Sequence, residues 1–369
     1  MNILHVSAVK SWGGGENHIE NLCTELQKIA PSTNNSILCI KHGLFEKKLS
    51  KTNVSFDSVK LGFKMDPRFF LKLIKICKAD AIDLLHIHDS TALTLCIMGD
   101  HLYNLPPFIF SKKTSFPIRP RTQTLYKYNY HNIKRILCVS QETKSVAESM
   151  INSPEKLRCI YHGTRLAMEP PTDSIDLRNL LNLGNDTLII GNIANHIWPK
   201  DLDTFIKVAH ELIRVRNLKN IHFVQIGAYA KITTDLLKKV EECQLTPYIS
   251  FLNTIPNAKT LIPQFDISLM TSISEGVPQF IYESFLYKVP VVSTNVGGIS
   301  EIIEDGVNGF LAPAGDSKTL ADKIIQLMEK EPLISKFTAL SHKKVSENYN
   351  TQLMAAKTLQ EYKTVLHGQ

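Results

Sequence analysis

Glu275-Gly-Val-Pro-Gln-Phe-Ile-Tyr-Glu283 joins a strand-like run, Phe265-Asp-Ile-Ser-Leu-Met-Thr271, to a helix-like one. Two carboxylates sit on either side of that junction. Gly276 lets a ligand approach the backbone closely. Pro278 suits the first position of a helix. A helix N-terminus presents free N–H groups and a partial positive charge, which suits a diphosphate. Glu283 then falls about one turn inside the helix, where a carboxylate can accept hydrogen bonds from a ribose diol.

Downstream, Val289-Pro-Val-Val-Ser-Thr294 is a short apolar β run, Gly297-Gly298 turns the chain, and Ser300-Glu-Ile-Ile303 starts another helix. Upstream, strand-like and helix-like segments alternate. Strands are expected at Ile3–Ser7, Leu84–His88, Phe108–Phe110 and Ile136–Ser140, then from Leu188, and at His222–Ile226, Ile249–Leu252, Ile267–Met270 and Val289–Ser293. Alternation of this kind argues for an α/β protein with parallel sheets covered on both faces. Pro170-Pro171-Thr-Asp-Ser174 has the composition of a linker. It sets a first domain at 1–170 and a second at 171–350. Two doubly wound, Rossmann-like domains leave a cleft at the carboxyl ends of their strands. The Gly13-Gly14-Gly15 turn and the Glu275–Glu283 stretch both follow strand ends, so they are expected to face a central cleft from opposite sides.

At 369 residues the chain has room for two domains, and its 43% hydrophobic content suits a globular protein. No apolar run approaches the roughly 18 residues of a membrane span. The N-terminus enters a strand directly, so no signal peptide is expected. The seven cysteines are scattered without Cys-x-x-Cys spacing, read as small core residues, and suit a reducing cytoplasm. Charge is uneven: residues 1–165 hold 23 Lys and Arg against 13 Asp and Glu, a net +10, while the rest hold 19 against 22, a net −3. The two halves are therefore expected to meet different partners.

Ser274-Glu-Gly-x-Pro, a second Glu, Pro-Val-Val, Gly-Gly-x-x-Glu-Ile-Ile and Gly306-Val-Asn-Gly309, in this order, resemble the family 4 retaining glycosyltransferases. The resemblance is dense from about Leu188 to Ala314 and continuous but weaker before it. It implies the GT-B fold, a nucleotide-diphosphate sugar as donor, retention of anomeric configuration, and a terminal helix, 351–369 with Tyr362, that crosses back onto the first domain. It also implies roles. Glu283 is expected to bind the donor ribose and Glu275 to face the transferred sugar. The backbone of Gly276, Val277, Pro278 and Gln279 is expected to meet sugar and diphosphate. Lys200 corresponds to a lysine that grips the diphosphate, where an ammonium stabilises the charge of the leaving group. Asn195 stands where the family has an arginine, with His196 beside it as a partial replacement. Backbone groups near Phe251–Thr254, including Asn253, are expected to hold the base.

In the first domain, Gly14 and Gly15 offer backbone to the diphosphate or the acceptor, and Glu16 and His88 are expected near the acceptor. His86 and His88 alternate onto one face, but two histidines do not make a metal site. Lys112 and Lys113 stand where many family members have a histidine. A basic pair there, with Arg119, Arg121 and Lys127 close by, suits an anionic partner. A glycan or lipid-linked acceptor and an anionic membrane surface are the partners expected, and nucleic acid is not, because no recognition fold accompanies the patch. The enzyme is expected in the cytoplasm or on the inner face of the membrane, acting in cell-surface polysaccharide or lipopolysaccharide synthesis. No cofactor or metal is expected, because Lys200 and helix N-termini carry the charge. A sugar-nucleotide epimerase of the same fold and a non-catalytic nucleotide-sugar-binding protein are the alternatives.

Overall fold

A computed structural model describes residues 1–167 and 175–368. The linker expected at Pro170–Ser174, and with it the 170/171 boundary, lies outside the described residues. The chain divides into two compact units, Met1–Arg165 with Asn350–Gln369, and Leu166–Tyr349.

The first unit is built on seven parallel strands: β1 (Asn2–Val6), β2 (Asn34–Ile40), β3 (Ser55–Val59), β4 (Leu84–Ile87), β5 (Phe108–Lys112), β6 (Ile133–Cys138) and β7 (Leu157–Cys159). Their order is β3-β2-β1-β4-β5-β6-β7. Alternation along β1 sends Leu4 and Val6 into a core with Phe69, Leu73 and Leu95, and Ile3 into a core with Leu22, Leu26, Met354 and Tyr362. The latter face is covered by helix Gly14–Ile29 and the terminal helix Thr351–His367, which pack on each other. The first helix begins at Gly14, inside the Gly13-Gly14-Gly15 turn, with Gly13 as N-cap. Arg135 and Arg158 both reach Glu361 on the terminal helix. Five of the seven cysteines are buried.

The second unit has six parallel strands: β8 (Leu188–Ile193), β9 (Ile221–Ile226), β10 (Ile249–Leu252), β11 (Ile267–Met270), β12 (Val291–Thr294) and β13 (Phe310–Ala312). Their order is β10-β9-β8-β11-β12-β13, the doubly wound arrangement of dinucleotide-binding folds. Its core joins Phe205, Phe223, Leu269, Phe310 and Phe337. Two glycines permit contacts that no side chain would. A Cβ on Gly191 would lie 2.1 Å from the Phe265 ring, and one on Gly227 would lie 1.9 Å from the Ala194 carbonyl oxygen.

Each sheet reverses its order next to its first strand, between β1 and β4 and between β8 and β11. Ligands of open parallel sheets bind beyond the carboxyl ends of the strands at this reversal. A ligand is therefore expected against the segments leaving β1, β4, β8 and β11.

Candidate active site

In the second unit, β8 leads through Ala194–Ile197 into a tight turn, Trp198–Lys200. Asp201 follows in the left-handed region at φ 42° and caps helix Leu202–His210 by accepting from Thr204 N–H. The segment after β11 is stitched to that turn. Ile273 N–H donates to the Pro199 carbonyl at 2.9 Å, and Thr271 Oγ1 donates to the carbonyls of Lys200 and Asp201 at 3.2 and 3.0 Å. Thr294 Oγ1 holds the Ser272 carbonyl at 2.5 Å. The two segments flanking the reversal thus form one rigid rim.

Across that rim, Lys200 Nζ meets Glu275 Oε1 at 2.5 Å, and Ser272 Oγ donates to the same oxygen at 2.7 Å. The pair is mostly shielded, with 22% of the lysine side chain and 10% of the glutamate exposed. Gly276, Val277 and Pro278 are buried beside it, and Gly298 N–H donates to the Gly276 carbonyl at 2.9 Å. The helix begins at Gln279, not at Pro278. The proline is its N-cap, in extended conformation, because its carbonyl already accepts from Ile281 N–H at 3.2 Å. Glu283 is half-buried on the second turn of this helix.

His196 does not replace the arginine absent at Asn195. It is buried, with Nε2 2.6 Å from Gln225 Oε1 and Nδ1 2.8 Å from Thr233 Oγ1. Gln225 Nε2 donates to the Ala194 carbonyl, which turns the amide oxygen toward the ring. His196 Nε2 therefore carries the proton, and Nδ1 accepts from Thr233. Burial lowers its pKa, consistent with a neutral ring. Asn195 Oδ1 accepts from Ala228 N–H at 3.1 Å. Phe251 packs edge-on against His196 and its carbonyl accepts from Tyr229 Oη at 2.8 Å. Asn253 Oδ1 accepts from the N–H groups of Tyr229 and Thr254. These four residues organise the loops leaving β9 and β10. The sequence does hold one Asp-x-Asp spacing, Asp201-Leu-Asp203, and its carboxylates are engaged in the fold: Asp201 caps its helix, and Asp203 pairs with Lys207 and Lys239.

In the first unit, the reversal is bridged by Asp89, whose Oδ2 accepts from Ala8 N–H at 2.7 Å. The two lysines at the carboxyl end of β5 part company, because neighbours along an extended chain point to opposite faces. Lys112 is buried and donates to the carbonyls of its own loop, Thr114 at 2.5 Å and Phe116 at 3.0 Å. Its ammonium thus holds its own loop, where the sequence led us to expect Lys112, with Lys113, to take a catalytic part toward an anionic partner. Lys113 reaches the first helix, with Nζ 3.0 Å from the Gly15 carbonyl. Burial pushes its pKa down to about 8 against the charges of Glu16 and Asp89. Burial raises the pKa of Glu16, and the Lys113 charge opposes the rise.

Beside Lys113 lies a group that strand alternation showed only in part. His86 and His88 do share a face, with ring centroids 4.0 Å apart. His5 of β1 lies 5.3 Å from each, and His18 stacks on His162 at 4.0 Å. All five are buried, and burial lowers every one of their pKa values. Ligand atoms of His5, His86 and His88 lie within 4.8 Å of one another, close enough for a metal ion. His5 is the third histidine of this group, which local sequence order does not place beside the other two. Both nitrogens of His86 are engaged, however, by Tyr362 Oη at 2.5 Å and Ser111 Oγ at 2.8 Å. The neighbouring Lys113 charge also disfavours a cation.

A cavity of about 550 Å³ with a mixed polar and apolar lining, which includes Pro107, Asn132, Arg135 and Thr364, opens near the amino ends of β5 and β6. It lies at the wrong end of the sheet for the binding rule above.

Residues 12–167 match the family described as Glycosyltransferase Family 4, and residues 184–330 match Glycosyl transferases group 1. The chain is a family 4 glycosyltransferase. This glycosyltransferase is 20% identical over 358 residues to the N-acetyl-alpha-D-glucosaminyl L-malate synthase of Bacillus anthracis, covering 93% of the chain and 92% of the relative. It is 22% identical over 283 residues to the UDP-Gal:alpha-D-GlcNAc-diphosphoundecaprenol alpha-1,3-galactosyltransferase of Escherichia coli, covering 73% and 72%. Among solved structures it is similar in fold to Anabaena HepE in complex with UDP and glucose, with TM-score 0.85, 18% identity, and 99% and 100% coverage. The GT-B fold expected from the Glu275–Glu283 stretch is the fold of this glycosyltransferase.

Proposed function

We propose that this glycosyltransferase moves a hexosyl or related sugar, with retention, from a nucleotide-diphosphate sugar to a glycan or lipid-linked acceptor in cell-surface polysaccharide or lipopolysaccharide synthesis. The Lys200–Glu275 pair carries this reading. It spans the strand reversal of the second unit, one turn before the helix that bears Glu283. In the donor complex the diphosphate takes Lys200, and Glu275 turns to the hydroxyls of the transferred sugar. Glu283 accepts from the ribose diol, and the N–H groups following Pro278 face the phosphates. The ammonium then stabilises charge that grows as the glycosidic bond breaks. Neither a metal nor a cofactor is needed for that step.

Acceptor binding falls to the first unit, through Lys113, Glu16, His88 and the backbone of Gly14 and Gly15. A lipid-linked acceptor agrees with the Escherichia coli relative, named for a diphosphoundecaprenol substrate. No helix among the described residues is long and apolar enough to cross a membrane. Attachment at the membrane surface is supported instead by Phe63 and Met65, 61% and 54% exposed, beside the exposed Lys60, Lys64 and Arg68. Large apolar side chains among basic ones suit the surface of an anionic bilayer.

Product analysis tests the reading. Incubation with donor and acceptor should release free nucleoside diphosphate and a glycosylated product of unchanged anomeric configuration. Recovery of an isomerised donor would mark an epimerase, and tight donor binding without turnover a binding protein.

A further inference from the structure

We propose that Asn35 and His5 form a positioning relay that fixes the tautomer of His88 and turns its Nδ1 lone pair toward a hydroxyl of the acceptor. The proposal rests on the acceptor reading of the first unit.

The relay starts on β2. Asn35 Nδ2 donates to the Thr33 carbonyl at 3.2 Å, which leaves Asn35 Oδ1 facing His5 Nε2 at 3.3 Å. An amide oxygen only accepts, so His5 Nε2 carries the proton. Burial keeps His5 neutral, with its pKa down to about 4, so its Nδ1 is bare. That nitrogen lies 3.0 Å from His88 Nε2, which must then be the donor. His88 is also held neutral by burial, with His86, Lys113, His5 and His18 adding to the effect. Its one proton is used, and Nδ1 is left as a lone pair. The residue is 4% exposed, and Nδ1 has no hydrogen-bond partner among the described residues.

A buried lone pair is costly without a donor, and the surroundings select which donor. An ammonium or metal cation would meet the positive charge of Lys113. A diphosphate diester, as in a nucleotide sugar, brings no proton at neutral pH and would oppose the lone pair. A hydroxyl is neutral and donates, so a sugar hydroxyl fits. His88 follows β4 at the strand reversal, where a ligand is expected. The contact orients the hydroxyl and leaves its proton to be taken elsewhere. His5 and Asn35 act only through His88. The wiring resembles the outer partners that fix histidine tautomers at metal sites.

The test uses the full chain labelled with ¹⁵N in its histidine rings, with long-range ¹H–¹⁵N correlation at pH 7.5 and His5→Gln and His88→Gln to assign signals. Both His5 and His88 should be neutral Nε2–H tautomers. In Asn35→Leu the His88 signal should pass to a mixture of tautomers. Acceptor KM should rise or kcat fall roughly tenfold in that variant, with donor KM unchanged. An Nδ1–H tautomer of His88 in the wild type overturns the relay, whatever the activity and whether or not Asn35→Leu folds. The stated tautomers with unchanged acceptor kinetics in Asn35→Leu overturn its role toward the acceptor. Failure of the function reading looks different: wild-type protein with these tautomers and no transfer to any acceptor.

Discussion

Lys200 Nζ sits 2.5 Å from Glu275 Oε1, so two groups read as holding different parts of the donor are in direct contact with each other. The pair keeps both side chains ordered at the strand reversal, and a diphosphate must compete with Glu275 for the ammonium. Breaking the pair should separate binding from chemistry. Glu275→Gln should tighten nucleoside diphosphate binding by up to about fivefold, roughly 1 kcal/mol for a partly exposed pair, while turnover falls. Lys200→Ala should lower kcat about 10²- to 10³-fold, the usual effect of removing one stabilising donor. Calorimetry and initial rates check both, and unchanged turnover in Lys200→Ala would assign the charge to another group.

Lys113 should set the alkaline limb of activity. Its pKa is pushed down to about 8, so it is charged below pH 8 and loses its proton above. The log of kcat/KM for the wild type should fall above pH 8. Lys113→Met should be slower at pH 7 and should converge with the wild type near pH 9.5. Parallel profiles for the two proteins would remove Lys113 from the reaction.

Buried histidines make the fold sensitive to acid. Burial lowers His5 and His222 to about 4 and His162 to about 3, and it also lowers His18, His86, His88 and His196. The unfolded chain takes up protons as pH drops through about 6.5, while the native state does not until its own lower values. Stability is therefore present above pH 6.5 and lost as pH falls toward 4, by up to about 1.4 kcal/mol per pH unit for each group. Urea midpoints should drop steeply between pH 7 and pH 5. A flat profile would mean that these rings are protonated in the native state.

Membrane attachment should depend on charge and on two side chains. Cosedimentation with anionic vesicles should decline steeply with added salt, since each basic residue near the surface contributes about 1 kcal/mol. Phe63→Ser with Met65→Ser should reduce it further without changing transfer to a soluble acceptor. Equal recovery with neutral and anionic vesicles would make the +10 charge of residues 1–165 a solvated surface.

Much of the second unit was legible because its signals are local. The expected strands at Ile249–Leu252 and Ile267–Met270 have the observed bounds, and the Glu275–Glu283 stretch carries its own glycine, proline and helix. Helix onset was off by one residue at Gln279, because a proline carbonyl serves as N-cap as readily as its ring serves the first turn. No strand was expected at β2, β3, β7 or β13: Asn34-Asn-Ser and Ser55-Phe-Asp-Ser begin β2 and β3 with polar residues, and β7 and β13 are only three residues long. The histidine cluster was beyond local reading. It depends on the register that sets His5 opposite His86, 81 positions away, and no short-range pattern specifies that pairing. The roles of His196 and Lys112 depended on side-chain direction, which adjacency to a motif does not supply.

The second unit should bind a nucleotide-diphosphate sugar through Glu283 and the helix it belongs to. Titration calorimetry of UDP, GDP and ADP into wild type and Glu283→Ala tests it most directly. At least one nucleotide should bind the wild type, and the same nucleotide should bind Glu283→Ala roughly 10- to 150-fold more weakly, about 1.5–3 kcal/mol for hydrogen bonds to a charged group. Binding of none of the three, or equal affinity in both proteins, would contradict it.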